Sequence, residues 1–470
     1  MSEAGLQQDR IVVFWDPAHP DRIPYQDQLE RTVAAAKDRG VEIDFAVYPF
    51  RSAVLARSAA ARDRFIAYLQ LLATTFPDVT TFVVGNEFNQ PLFYRPQFGA
   101  GCRRVSGRQY MRLLARGYDA LKEVNPDITV ISSVSPRGND DCHGRNNRSI
   151  SPVRFIHDMG VEFAAMHRDR PAFDEFGIHV YPNQPTDSIQ KGFGWPNIGT
   201  SNLGRLKQAL WDAFQGSTQP VPDWQPPVLR YGKSIDELRP VKIWIGEVGW
   251  QVRTTKRHGY YGRENVRVTT EKRQARVYAQ LVRTMSCDPF LDAMNFFLLV
   301  DEADRDRWQS GLLRTDWTKR TSFGAVKAAI ARASGGCAGR PIQWRHTQSV
   351  VGARASFGRL RTQSRRHTSW SFTASAKEDA TYKAGVFRVP GRELSDRTRS
   401  DILNSLSGKR GAEPVMTARS RIKAYWPPVV HFPARRLAAG NYVYAIRLAA
   451  AMNPSRTTAF VSRTFHVGGG

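Results

Sequence analysis

Through the first 335 residues, short apolar runs alternate with stretches whose apolar residues recur every three or four positions. The runs at 11–15, 41–48, 80–85, 128–134, 175–181, 241–246 and 293–300 have the length of buried strands. Between them the spacing predicts helices over 26–39, 59–75, 109–124, 153–166, 271–285 and 322–333. In the first of these, Leu29, Val33 and Ala36 share a face, and Gly40 stands where the helix should stop. In the third, Tyr110, Leu113, Leu114, Tyr118 and Leu121 do the same. Strands alternating with helices imply parallel βα units, and their closed form is the (β/α)8 barrel of the TIM type. Seven strands are legible, not eight. Residues 2–7 read as a helix end running into the strand at 11–15, so the missing strand is expected to be the first, upstream of Met1, in a chain truncated at its N-terminus. A strand hidden in the Pro-, Gly- and Trp-rich insertion 182–240, or an open sheet, would also account for the number.

After residue 333 the period changes. A Gly-rich stretch at 335–340 marks a boundary between a barrel domain, 1–335, and a module, 336–470. In the module, short alternating strands at 370–374, 382–388, 442–448 and 459–465 are separated by turns at Pro390-Gly391 and Ala439-Gly440. This predicts a small all-β sandwich of the immunoglobulin or fibronectin kind. Residues 395–420 read as a long exposed basic loop.

Composition changes little in this picture, and charge changes more. At 470 residues, with 41% hydrophobic and 24% charged residues, the chain has the make-up of a folded globular protein. No apolar run approaches the ~20 residues of a membrane span, and the first ten residues lack the apolar core of a signal peptide. The net charge of +25 invites a polyanion-binding reading. Residues 340–470 hold 23 Lys+Arg against 6 Asp+Glu, or +17, which leaves +8 for the rest. Of the 68 basic residues 54 are Arg, a bias that genome base composition also produces.

Two glutamates stand out by position. Glu87 ends the run TTFVVGNE and Glu247 ends VKIWIGE. Each falls just past a strand, at the rim where a barrel carries its reactive side chains. Inside a strand an unpaired carboxylate would be costly. At the rim, two carboxyls ~5 Å apart can hydrolyse a glycosidic bond with retention of configuration.

Gly85-Asn86-Glu87 and Gly246-Glu247 resemble the two signatures of glycoside hydrolase clan A, the retaining (β/α)8-barrel glycosidases. His179-Val180-Tyr181, at the end of the strand at 175–181, resembles a third. The loop Gly311-Leu312-Leu313, with Asp316 and Thr318, also resembles theirs. The similarity covers about residues 5–335. It implies Glu247 as nucleophile and Glu87 as acid/base. Asn86 would contact the sugar 2-hydroxyl, His179 would line the pocket, and Tyr181 would hold the nucleophile. The register fits the clan only if the barrel's first strand is absent.

Trp15, Trp250 and Trp308 lie near strand ends and are candidate sugar platforms. Phe88, Asn89 and Gln90 would shape the cleft. Asp301 and Glu302 would either bind hydroxyls or, the favoured reading, pair with Arg305 and Arg307. The four cysteines have no Cys-x-x-Cys spacing, so no zinc site is expected. Cys102 and Cys142 follow neighbouring strands, and Cys287 and Cys337 flank the last βα unit, which predicts disulfides 102–142 and 287–337. Two disulfides imply an oxidising compartment, hence an extracellular, secreted protein. No phosphate-binding loop or nucleophile elbow is present, and neither a cofactor nor a metal is expected.

The expectation is therefore a monomeric retaining O-glycoside hydrolase acting on a glycoside or polysaccharide. Its basic module would bind an acidic polysaccharide or cell wall, or merely brace the barrel, and no specific nucleic acid is expected. The competing readings are a non-catalytic carbohydrate-binding or cell-surface protein on a barrel scaffold, and a polyanion binder acting through the module.

Overall fold

A computed structural model describes residues 1–144, 148–223, 239–357, 361–363, 368–433 and 437–468. It divides into two units, Met1–Arg345 and His346–Gly470.

The first unit is an α/β barrel wall of the TIM type. It runs β1 (Gln8–Trp15), α1 (Gln26–Lys37), β2 (Glu42–Pro49), α2 (Val54–Arg57), α3 (Ala59–Thr75), β3 (Thr81–Val84), α4 (Ser106–Val124), β4 (Thr129–Ile131), α5 (Pro152–Met166), β5 (Glu175–His179), α6 (Leu203–Phe214), β6 (Lys242–Val248), α7 (Glu271–Met285), β7 (Leu291–Phe296) and α8 (Thr321–Ala333). The seven strands are all parallel and ordered β1 to β7 as in the chain. No pairing joins β1 to β7 among the described residues. Alternation along each strand splits its side chains between the barrel interior and the helix layer. Val12, Ala46, Val83, Ile131, Trp244 and Ala293, from six of the strands, pack into one interior cluster. Helix starts follow local chemistry: Ser58 accepts the Ala61 N–H of α3, Thr270 accepts the Arg273 N–H of α7, and Pro152 opens α5.

The insertion at 182–240 is not merely a loop. Leu206, Leu210 and Phe214 recur at helical spacing and form the buried face of α6. Residues 224–238 of that insertion lie outside the described residues. Before β1, a single 3-10 turn at Ser2–Ala4 ends on Gly5, which packs against Ile330 of α8.

The second unit is an antiparallel sandwich. It comprises β8 (Arg354–Ser356), β9 (Arg361–Gln363), β10 (Thr368–Ser375), β11 (Ala380–Val389), α9 (Asp396–Leu406), β12 (Met416–Ile422), β13 (Val429–His431), β14 (Gly440–Ala450), β15 (Thr457–Val461) and β16 (Phe465–Val467). One sheet is ordered β13-β10-β8, with β9 also on β10. The other is ordered β12-β11-β14-β15, with β16 also on β14. Trp370 and Phe372 from the first meet Tyr382, Val386, Tyr444 and Ile446 from the second in the core. Glu378 and Arg456 form an ion pair buried within this unit.

The loop expected at 395–420 is instead α9 followed by β12. Ser395 caps the helix by accepting the Thr398 N–H, and Ile402 and Leu406 bury one face of it. The Arg and Ser residues around these two anchors mask them in composition. Among the described residues, no helix is long and apolar enough to cross a membrane.

Candidate active site

Strand β3 is followed by two residues with left-handed backbone, Gly85 at φ +91° and Glu87 at φ +43°. A Cβ on Gly85 would sit 3.2 Å from the rings of Phe88 and Tyr110, so glycine is required there. The same conformation costs a glutamate ~1–2 kcal/mol. Hydrogen bonds hold it. The Glu87 N–H donates to Ser133 Oγ at 3.3 Å, and the Glu87 carbonyl accepts the Gln90 N–H at 2.7 Å. Tyr110 of α4 braces the turn from below: its hydroxyl donates to the Val84 carbonyl at 2.7 Å and accepts the Ser133 N–H at 2.9 Å. The turn lifts Asn86 and Glu87 over the barrel rim.

Strand β5 ends on His179, which lies opposite Glu247 of β6 after a register shift. A Cβ on Gly246 would stand 2.9 Å from His179 Nε2 and 2.6 Å from the Trp244 ring. Glycine before Glu247 therefore makes room for the imidazole.

These turns bring four of the expected residues together. His179 Nδ1 is 2.8 Å from Glu87 Oε1 and 3.3 Å from Glu247 Oε2. Both carboxyls approach the same nitrogen, so that nitrogen carries the hydrogen; Nε2 is buried with no partner. The Tyr181 hydroxyl donates to Glu247 Oε2 at 2.7 Å. Burial, reinforced by the negative charge of Glu247, raises the Tyr181 pKa well above its ordinary value and keeps the donor proton in place.

The sequence reading missed Arg10. Its Nη1 donates to Glu247 Oε1 at 2.9 Å and its Nη2 to Asn86 Oδ1 at 2.7 Å. The guanidinium is 5% exposed and lies 6.0 Å from the Trp244 ring centre. One planar fork thus fixes Glu247 and turns the Asn86 amide so that its NH2 is free to donate. The signal was a charge two residues before Val12 and four before Phe14, on the inward parity of a strand that is apolar from Ile11 onward.

Asn86, Glu87, Tyr181 and Glu247 line a cavity of about 1430 Å³ at the rim. Trp308 lines it too, lying 4.8 Å from Tyr181 and edge-on to Phe297 at 5.5 Å. Phe14, Tyr48 and Phe93 form an aromatic wall that the sequence reading did not single out. Burial pushes the Tyr48 hydroxyl up to about 12, against the pull of Arg10.

Two tryptophans are not where they were expected. Trp15 is 1% exposed and faces the helix layer, edge-on to Phe65, with its indole N–H donating to the Pro20 carbonyl. Its odd position on β1 turns it away from the cavity that Val12 and Phe14 face. Trp250 is fully buried, donates to the Asp187 carbonyl at 3.0 Å and packs on Tyr278. Of the residues after Glu87, Gln90 lines the cavity. Phe88 is core, and Asn89 ties the Ser135 and Ile150 backbones together. Asp301 and Glu302 do not pair with Arg305 or Arg307. Asp301 is buried against Arg320 and the Tyr260 hydroxyl, while Glu302 accepts the Trp308 N–H at 2.9 Å and lines the cavity.

Both disulfides form, Cys102–Cys142 and Cys287–Cys337. Among the described residues, the one His, Cys and carboxylate cluster tight enough for a metal is Cys102, Cys142 and His143, and its two sulfurs are bonded to each other.

No protein-family model and no curated protein matches the chain. Solved structures do resemble it, three of them at 14–16% identity. One is a family 39 glycoside hydrolase from Bacteroides cellulosilyticus WH2, 14% identical over 92% of this chain and 76% of that one, TM-score 0.47. Another is the GH5_18 protein of Streptomyces cattleya, in complex with GlcNAc, 16% identical over 74% of this chain and 76% of that one, TM-score 0.45. A third is an exo-beta-1,4-mannosidase from Opitutaceae bacterium strain TAV5, 14% identical, with this chain spanning about half its length: 71% of this chain, 54% of that one, TM-score 0.43.

Proposed function

We propose that the chain is a retaining O-glycoside hydrolase working by double displacement. The observation that carries this reading is the shared His179 nitrogen. Two carboxylate oxygens 2.8 and 3.3 Å from one atom can be no more than about 6 Å apart. That falls below the ~6.5–9.5 Å that leaves room for a water between the carboxyls of inverting enzymes.

The hydrogen bonds support one assignment of roles. Glu247 receives a guanidinium and a phenol, donors that hold and orient a nucleophilic carboxylate. Glu87 receives the imidazole alone and is the group free to exchange a proton. In the first step protonated Glu87 gives its proton to the glycosidic oxygen while Glu247 attacks the anomeric carbon. The carbon–oxygen bond to the leaving group breaks and a glycosyl ester forms. In the second, Glu87 takes a proton from water, the water oxygen attacks the same carbon, and the Glu247 carboxylate leaves. Asn86 donates to the sugar 2-hydroxyl, and Trp308 offers a stacking face. A cavity of about 1430 Å³ suits a substrate of more than one ring. The two disulfides suit an extracellular setting.

The test is turnover of a panel of activated aryl glycosides, with proton NMR of the first anomer released and mass spectrometry after trapping with a 2-fluoro glycoside. Retention, a label on Glu247 and loss of turnover in Glu247→Ala are expected. An inverted first product, or wild-type rates in Glu247→Ala, would overturn the reading. Sugar binding with no turnover across the panel would favour a non-catalytic carbohydrate-binding protein.

A further inference from the structure

The outer face of the β12-β11-β14-β15 sheet is divided. On one half Phe387, Val389, Val443 and Ala445 point outward and are covered by Ile402 and Leu406 of α9. Among the described residues the other half has no such cover. There Lys383 lies directly opposite Arg419 on β12 and Arg447 on β14. Residues directly opposite on antiparallel strands point to the same side. The three cations therefore form one row across three strands. Arg421 lies one pleat along, opposite Thr381.

Like charges directly opposite destabilise a sheet, and no carboxylate among the described residues is in ion-pair contact with any of these four. Lys383, Arg419 and Arg421 are exposed, and Arg447 is half-buried. A shallow cavity of about 290 Å³ is lined by Thr381, Lys383, Arg419 and Arg421, among others. An arrangement that costs the fold stability, left open beside a depression, is suited to an anion from outside.

We propose that this half-face binds an anionic polysaccharide, one negatively charged sugar to each cation of the row. Spacing favours a glycan. Neighbouring strands stand ~4.8 Å apart, close to the rise of one sugar in an extended chain that carries one charge per ring. Duplex DNA packs a charge into every ~1.7 Å of axis. The outward positions beside the row are Thr381, Thr417, Ala449, Thr457 and Ala459, small residues with no aromatic surface on which bases would stack. The proposal leans on the glycosidase reading only in preferring a sugar polymer, and binding is read without turnover.

The full chain is titrated with polygalacturonate, heparin, neutral dextran and duplex DNA at low and physiological salt. The triple variant Lys383→Gln, Arg419→Gln, Arg447→Gln is compared with Arg392→Gln, Arg397→Gln, Arg399→Gln, which removes the same charge at and just before α9. Salt-sensitive binding of polygalacturonate or heparin is expected, weakened about tenfold or more by the first triple and less than about twofold by the second. Melting temperature is expected to hold or rise slightly in the first triple. Equal losses in both triples would reduce the effect to net charge, and no loss in the first would leave the row without a role; either overturns the proposal. So would DNA bound as tightly through the same three residues. Turnover of a small aryl glycoside, read alongside, is expected unchanged in both triples. Its absence in the wild type would count against the glycosidase reading and leave the binding comparison intact.

Discussion

His179 Nδ1 touches both carboxyl groups, at 2.8 Å from Glu87 and 3.3 Å from Glu247. One ring hydrogen is shared between the two carboxyl groups. Removing the ring takes away the donor that fixes the two carboxyls relative to each other. His179→Ala is expected to lower kcat by about tenfold or more with KM within about twofold. A lower melting temperature with kcat unchanged would mean that the histidine serves only to pack.

Arg10 holds Glu247 with one nitrogen and Asn86 with another. Lysine keeps the charge and loses the fork. Arg10→Lys should lower kcat by ~10²–10³-fold, the usual effect of losing one preorganised donor. Arg10→Ala should also lower the melting temperature, because it strands part of a buried network. Steady-state kinetics beside thermal melts separates the two effects.

Asp44 on β2 is fully buried, with Gln8 donating to Oδ1 and nothing on Oδ2. Burial pushes its pKa up to about 8. Glu175 is raised to about 8 as well, by burial first and then by the charge of Asp292. In the unfolded chain such groups ionise near ~4. The fold thus holds these protons longer than the unfolded chain does. Their stabilisation is complete below ~4 and is lost as pH climbs towards about 8. Asp44→Asn should change the melting temperature little near pH ~5 and raise it by a few degrees near pH ~8. A constant difference across that range would count against the shift.

The Cys102–Cys142 bond joins the loops after β3 and β4 across 40 residues. The second of these loops gives Arg137, Gly138, Asn139 and Ser149 to the cavity. Closing a loop of this size is worth ~3–4 kcal/mol. Replacing both cysteines by serine should lower the melting temperature and raise KM several-fold, with kcat within ~2-fold. The same change at Cys287 and Cys337, none of whose neighbours lines the cavity, should lower the melting temperature and leave KM alone.

Most of the barrel wall was legible because its inner strands are buried on both faces and read as plain apolar runs. The helix at 271–285 and that at 59–75 fall where their periodicity puts them. Glu87 and Glu247 were legible because a carboxylate after such a run has few other reasons to be there. Arg10 was not, since its partners lie 76 and 237 residues away and only the barrel's curvature joins them. Trp15 and Trp250 failed for a related reason. Nearness to a strand end does not say which way the side chain points, and one step of parity separates sugar platform from core. In the sandwich, α9 and β12 were hidden by basic residues that sit on their exposed sides.

The span between Arg10 and Glu247 also bears on the order of folding. A hydrogen bond across 237 residues forms only after nearly every strand of the barrel has found its neighbour. Local helices can assemble early; the pair that clamps Glu247 cannot. Refolding from denaturant should therefore restore helical signal well ahead of turnover, with activity returning in the slowest phase.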